Sequence, residues 1–144
     1  MIGKKQLTLF LIGLIAAAFF TPASRAIAAP DAYEPDNYYY QANPINLQTE
    51  GQSHNFYQNY DIDWIMFFCK TGTNLKVETF NCQSRCDPVI TIYESEIGDW
   101  NKLSKIASQD AWGPGQTETL NFTCGETTLY YALIEQSKGS GYGE

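Results

Sequence analysis

The sequence predicts an all-β domain of the β-sandwich class, and three observations support this prediction. No stretch after the first 28 residues has the spacing of a long amphipathic helix. The same region is rich in Tyr, Phe, Thr and Ile, and Gly, Asn, Asp and Pro interrupt it at short intervals, as in strands joined by turns. The apolar segments begin about 11 to 14 residues apart, a spacing typical of sandwiches.

Seven segments have the composition of strands, and alternation predicts how each is buried. Leu75–Phe80 alternates apolar and charged residues, so it is expected to be half-buried. The runs that begin at Trp64 and Leu129 are apolar on both faces, which predicts central strands. One helical turn is expected at Tyr39–Ala42, before Pro44. The predicted strands are Ser53–Gln58, Trp64–Lys70, Leu75–Phe80, Val89–Glu94, Lys102–Ser108, Thr117–Thr123 and Leu129–Glu135.

Residues 1–28 have the pattern of a secretory signal. Lys4 and Lys5 precede an apolar stretch that is short for a membrane span, and Ala26-Ile27-Ala28 suits a signal peptidase. We therefore expect cleavage after Ala28, a single mature domain at 29–144, and a secreted, periplasmic or cell-surface location. The alternative is a leader that stays attached as an anchor.

The charge of the mature segment excludes some partners. Three of the nine basic residues lie in the leader, so 29–144 carries six basic and 16 acidic residues. Such a polyanion is a poor partner for nucleic acid or for an anionic membrane surface. The same charge suits cation binding.

Four cysteines in an exported chain indicate two disulfides, for which three connectivities exist. Cys82 and Cys86 are close enough in sequence to close one loop, which leaves Cys69 to pair with Cys124. The alternative is a zinc site, which the absence of a CxxC pair disfavours.

Two acidic clusters are the candidate functional residues. The first runs from Asp31 to Asn37, and the second, Asp61-Ile-Asp63, precedes an apolar strand. Neighbouring carboxylates repel one another unless a cation or hydrogen-bond donors offset their charge, and calcium takes six to eight oxygen ligands. The candidate calcium ligands are Glu34, Asp36, Asn37, Asp61 and Asp63. The alternative is that these residues cap turns and face solvent.

Other residue types give weaker signals for function. His54 is the single histidine, and because it has no nucleophile motif nearby, the expectation is an ordinary strand or loop residue. The aromatic residues are numerous for a small domain, and exposed Tyr and Trp side chains suit protein or glycan binding. The candidates for such a surface are Tyr38, Tyr39, Tyr40, Tyr57, Tyr60, Trp100 and Trp112.

The order of several short motifs resembles the bacterial pre-peptidase C-terminal domain. The motifs are Asp31-Ala-Tyr-Glu-Pro-Asp-Asn37, Ala42-Asn-Pro-Ile45, Gly51-Gln-Ser-His54, Asp61-Ile-Asp-Trp64, Asp87-Pro-Val-Ile-Thr-Ile-Tyr93 and Thr128-Leu-Tyr-Tyr-Ala-Leu-Ile134. The resemblance extends over nearly all of 31–142. The resemblance implies a jelly-roll-like sandwich appended to secreted enzymes. Relatives such as the collagen-binding domains of clostridial collagenases bind calcium through the acidic segments and a matrix partner through exposed aromatics.

The chain departs from that family pattern in two respects. The cysteines are additional, and a final strand of the form Gly-x-Tyr-x-Leu-x-Val is expected to be missing beyond Tyr142. The expected function is therefore an exported, non-catalytic, calcium-stabilised module that binds an extracellular protein or polysaccharide. The alternatives are a small secreted hydrolase that uses Asp61 and Asp63, and an N-terminal fragment of a longer secreted protein.

Overall fold

The computed structural model describes residues 29–47, 51–58 and 60–137, which form strands and one short 3₁₀ helix. The helix is Tyr39–Gln41, within the predicted turn. The strands are β1 (Asn43–Pro44), β2 (Ile62–Cys69), β3 (Asn74–Glu78), β4 (Pro88–Glu96), β5 (Asp99–Gln109), β6 (Thr119–Thr123) and β7 (Thr128–Gln136). Within these ranges no helix is long and apolar enough to span a membrane.

The strands form two sheets, which confirms the predicted all-β sandwich. One sheet has the order β1-β2-β7-β4-β5, and the other pairs β3 with β6. All pairings are antiparallel except the short parallel contact of β1 with β2. Strands β2 and β7 lie in the interior of the larger sheet, as their apolar runs predict.

Six of the seven predicted strands are confirmed, and one is wrong. The segment predicted as Ser53–Gln58 contains no strand. Its backbone N–H groups at Asn55 and Tyr57 donate to the carboxylates of Asp31 and Asp61 instead of to a neighbouring strand. Strand β1 was not predicted, because two residues carry too little pattern to be recognised.

The core lies on both faces of the larger sheet. Between the sheets, Phe67 stacks on Tyr130 with ring centroids 5.9 Å apart, and Ile90 and Ile92 are fully buried beside them. On the outer face, Trp64 packs against Tyr131 and the partly buried Tyr39. Burial on both faces explains why alternation disappears in β2 and β7.

One predicted disulfide is present and the other is not. Cys69, at the end of β2, is bonded to Cys124, which directly follows β6. Cys82 and Cys86 are free thiols, so the predicted Cys82–Cys86 bond is not formed. Both lie in the loop between β3 and β4, and the Cys82 thiol contacts that of Cys86 without covalent bonding.

A cavity of about 640 Å³ lies between the sheets. Ile65, Phe67 and Ile134 form an apolar part of its wall, while His54 and Asp63 also line it. The predicted signal (1–28) and Tyr142 of the expected final strand lie outside the described residues.

Candidate metal centre

Backbone hydrogen bonds bring the two acidic clusters together. The N–H of Trp64 in β2 donates to the carbonyl of Asp36 at 3.1 Å, and the N–H of Ile62 donates to Asn37 Oδ1 at 3.4 Å. Asp61 and Asp63 are two residues apart at the start of β2, so their side chains point the same way. The first cluster therefore lies against the carboxylates of the second.

The loop at 51–58 encloses the same site. The N–H of Asn55 donates to Asp31 Oδ2 and the N–H of Tyr57 to Asp61 Oδ2, each at 2.8 Å. These bonds hold the carboxylates in place, and His54 immediately precedes the first donor, Asn55. Each hydrogen bond satisfies a single oxygen, so the negative charge of the cluster is only partly offset.

The carboxylates of Glu34, Asp61 and Asp63 converge on one point. One oxygen from each lies within 4.8 Å of the others. Asp61 and Asp63 are 2% and 1% exposed. Glu34 Oε1, Asp61 Oδ1 and Asp63 Oδ1 are buried without a hydrogen-bond partner among the described residues. Buried polar atoms are normally paired, so these oxygens require a cation or a donor.

Burial and mutual repulsion raise the pKa of four carboxyl groups in the two acidic clusters, those of Glu34, Asp36, Asp61 and Asp63. Burial, followed by the charges of Asp63 and Glu34, raises the pKa of Asp36 to about 7. Burial and the charges of Glu34 and Asp63 likewise raise the pKa of Asp61 to about 7, although its bond from Tyr57 opposes the shift. The pKa values of Glu34 and Asp63 are raised as well, mainly by burial. The cluster thus resists ionisation unless a cation compensates.

His54 lies beside Asp63, which the sequence did not predict. Its Nδ1 atom is 3.5 Å from Asp36 Oδ2, 3.7 Å from Asp63 Oδ1 and 4.0 Å from Asp31 Oδ2. Burial lowers the pKa of His54, but the three carboxylates outweigh that effect and the pKa is raised. The sequence feature that could have indicated this position is that the single histidine occurs in a strongly acidic chain.

The structure gives two of the predicted ligands different surroundings. Asn37 uses its oxygen to accept from Ile62, and its amide donates to Glu34 Oε2 at 3.4 Å, so it positions Glu34. Asp36 lies nearer to His54, and its Oδ2 also accepts from Asn43 Nδ2 at 3.3 Å. Glu34, Asp61 and Asp63 are therefore the predicted residues that converge, and sequence reasoning missed Asp31 and His54.

Fold and site together define an all-β sandwich with a buried acidic cluster where its first long strand begins. The chain matches no protein-family model, no curated protein and no solved structure.

Proposed function

We propose that this chain is an exported, non-catalytic β-sandwich module of the pre-peptidase C-terminal type, stabilised by calcium. Its role is binding or stabilisation at the cell exterior, on a protein or polysaccharide partner. The observation that carries the proposal is the convergence of Glu34, Asp61 and Asp63 with unpartnered oxygens on the described part of the chain.

The spacing of these oxygens suits calcium. Ca²⁺ binds oxygen at 2.3–2.6 Å, so two ligands on one ion are separated by at most about 5 Å. One oxygen from each of the three carboxylates lies within 4.8 Å of the other two, which meets that limit. Calcium also prefers carboxylate and carbonyl oxygens over nitrogen, and this group offers oxygen alone.

The same geometry favours a cation over hydrolysis by Asp61 and Asp63. A pair of carboxyl groups that cleaves a glycosidic bond stands about 5–9 Å apart across an open cleft. Here both residues are buried and converge with Glu34 on one point. This convergence supports a cation between the carboxylates rather than a substrate bond.

Exposed aromatic residues next to the acidic segments support a binding role. Tyr38 and Tyr40 stack on each other with centroids 5.3 Å apart, and they are 57% and 69% exposed. Tyr60, which immediately precedes Asp61, is 97% exposed and has a φ angle of 62°, a value uncommon for a bulky residue. Solvent-facing aromatic area of this kind suits contact with a protein or a sugar ring.

The test is a thermal-unfolding titration with calcium after chelator treatment. Because an ion that binds the native state alone stabilises it by RT ln(1 + [L]/Kd), excess calcium should raise the Tm. Asp63→Asn should remove most of that increment while the circular dichroism spectrum stays that of a β protein. Asp99→Asn, a change at the exposed first residue of β5, is the matched control and should keep the increment.

If calcium leaves the Tm of the native chain unchanged, the calcium proposal is wrong. The binding role is tested separately by co-sedimentation with insoluble polysaccharides and fibrous proteins. Tyr38→Ala/Tyr40→Ala should reduce retention without changing the calcium response.

A further inference from the structure

His54 presents a ring nitrogen to carboxylates at distances that are too long for hydrogen bonds. An N–H···O bond in proteins spans 2.7–3.2 Å. The Nδ1 atom stands 3.5 Å from Asp36 Oδ2, 3.7 Å from Asp63 Oδ1 and 4.0 Å from Asp31 Oδ2. The nitrogen is buried and without a hydrogen-bond partner in the described ranges. The ligand atoms of Asp31, His54 and Asp63 lie within 4.8 Å of one another, and Asp36 lies beside His54.

The second ring nitrogen shows how the imidazole is held. His54 Nε2 lies 3.2 Å from Gln52 Oε1, and Tyr33 stacks on the ring with centroids 4.6 Å apart. With Nε2–H donating to Gln52, the lone pair of a neutral ring lies on Nδ1 and points at the carboxylates. A metal-bound histidine typically donates its other N–H to an acceptor in this way.

The distances agree with those between ligands of one small divalent ion. Zinc binds nitrogen and carboxylate oxygen at about 2.0–2.2 Å, so tetrahedral ligands lie roughly 3.3–3.6 Å apart. The 3.7 Å between His54 Nδ1 and Asp63 Oδ1 is within a few tenths of an ångström of that range, and the 4.0 Å to Asp31 Oδ2 requires a slightly larger movement.

Two buried carboxylates at this point each have one oxygen without a hydrogen-bond partner among the described residues. Asp36 is 0% exposed and Asp63 is 1% exposed. Among the residues that the structure describes, Asp36 Oδ1 and Asp63 Oδ1 accept no hydrogen bond. The site is therefore built and enclosed, and it offers more negative charge than a protonated imidazole alone neutralises.

We infer that Asp31, His54 and Asp63 form a second cation site, selective for a transition ion such as Zn²⁺. Imidazole nitrogen favours zinc, copper and nickel, whereas calcium prefers oxygen. The two sites meet at Asp63, which belongs to both groups of converging ligands. This site goes beyond the proposed function and does not depend on it, since a zinc ion here needs neither Glu34 nor Asp61.

The test uses the mature chain in a Cys82→Ser/Cys86→Ser background, so that the free thiols cannot bind zinc. The protein is first stripped of metal with a chelator, which is then removed. Zinc binding is followed by calorimetry, and Co²⁺ binding in place of zinc is followed by its visible spectrum. His54→Gln, which keeps a polar side chain of similar size, should weaken zinc binding at least tenfold and leave calcium affinity unchanged. Glu34→Gln should weaken calcium binding and leave zinc affinity unchanged, and Asp63→Asn should weaken the binding of both ions.

Each failure has a different signature. Equal zinc affinity in the parent and His54→Gln chains would overturn the second site, whatever calcium does. Absence of zinc binding, with a lower Tm for His54→Gln in chelator, would assign His54 as a protonated partner of the carboxylates and also overturn it. Loss of the calcium response with zinc binding intact would remove the calcium site and leave this one.

Discussion

The N–H of Trp64 donates to the carbonyl oxygen of Asp36 at 3.1 Å, and this bond joins the first acidic cluster to the first long strand. Trp64 is also part of the outer-face core with Tyr131. The position of Asp36 is therefore coupled to the packing of the larger sheet. A change of charge in the cluster is consequently expected to change the stability of the whole domain.

The stability of the metal-free protein should fall as pH rises. Asp36 and Asp61 have a pKa of about 7 in the folded state and an ordinary value of 3.8, so the native state holds more protons between these values. Their contribution is complete below about pH 4 and is lost as pH rises through 7. The raised pKa values of Glu34, Asp63 and His54 act in the same direction.

The Tm measured in chelator should accordingly be higher at pH 5 than at pH 8. Saturating calcium should reduce the difference, because the ion replaces the protons. Asp61→Asn should also reduce it in chelator. A Tm in chelator that increases from pH 5 to pH 8 would contradict the prediction.

Removal of the Cys69–Cys124 bond should destabilise the domain strongly. The bond closes a loop with a sequence separation of 55, for which the chain-entropy relation gives about 4 kcal/mol. Cys69→Ala/Cys124→Ala is expected to lower the free energy of unfolding by about that amount in urea denaturation. Cys82→Ala/Cys86→Ala, which removes no disulfide, is the control and should lower the free energy of unfolding by clearly less.

The two free thiols should differ in reactivity. Cys86 is buried, and its burial together with the Cys82 thiol raises the pKa of Cys86 to about 12. Since the thiolate is the reactive form, iodoacetamide should label Cys82 in the native protein and Cys86 only after unfolding. Peptide mass spectrometry checks this. If neither cysteine reacts with iodoacetamide until a reductant is added, the predicted Cys82–Cys86 disulfide exists and the thiols are not free.

Glu118 should be a stabilising residue of the loop before β6. It is 1% exposed, and its carboxylate accepts from the N–H of Trp112 at 2.7 Å and from that of Ala111 at 3.1 Å. Glu118→Gln replaces one acceptor oxygen by a donor, so the expected loss is about 1–3 kcal/mol. Glu96→Gln, at an exposed ion pair with Lys102, should change stability by less than about 1 kcal/mol. Equal effects in chemical denaturation would refute this role.

The strand pattern was predictable wherever burial itself is periodic or continuous. Trp64–Lys70 and Leu129–Glu135 are apolar on both faces, and they pair in register at the centre of the larger sheet. The strand prediction for Ser53–Gln58 was wrong because its composition is that of a strand, whereas two of its N–H groups donate hydrogen bonds to carboxylates. These hydrogen bonds form only because Asp31 and Asp61 lie against the segment in the folded chain, and the local sequence pattern does not show that contact.

The acidic part of the site was predictable from the sequence, and the position of His54 was not. Asp61 and Asp63 share a face because of strand geometry, which spacing reveals. The approach of His54 to Asp36 and Asp63 depends on how the loop at 51–58 crosses the start of β2. Glu118 was missed for a similar reason, since a single glutamate between two threonines at the start of a predicted strand shows no sign of burial.

Strand β2 is held differently at its two ends, by the contacts of the acidic cluster at its first residues and by the Cys69–Cys124 bond at its last. Under the proposed calcium binding, chelation and reduction are expected to release opposite ends of the same strand. Amide hydrogen exchange along β2 should proceed inward from Ile62 after loss of ions, and inward from Cys69 after reduction. The direction in which the domain opens is thus set by the chemistry of its surroundings.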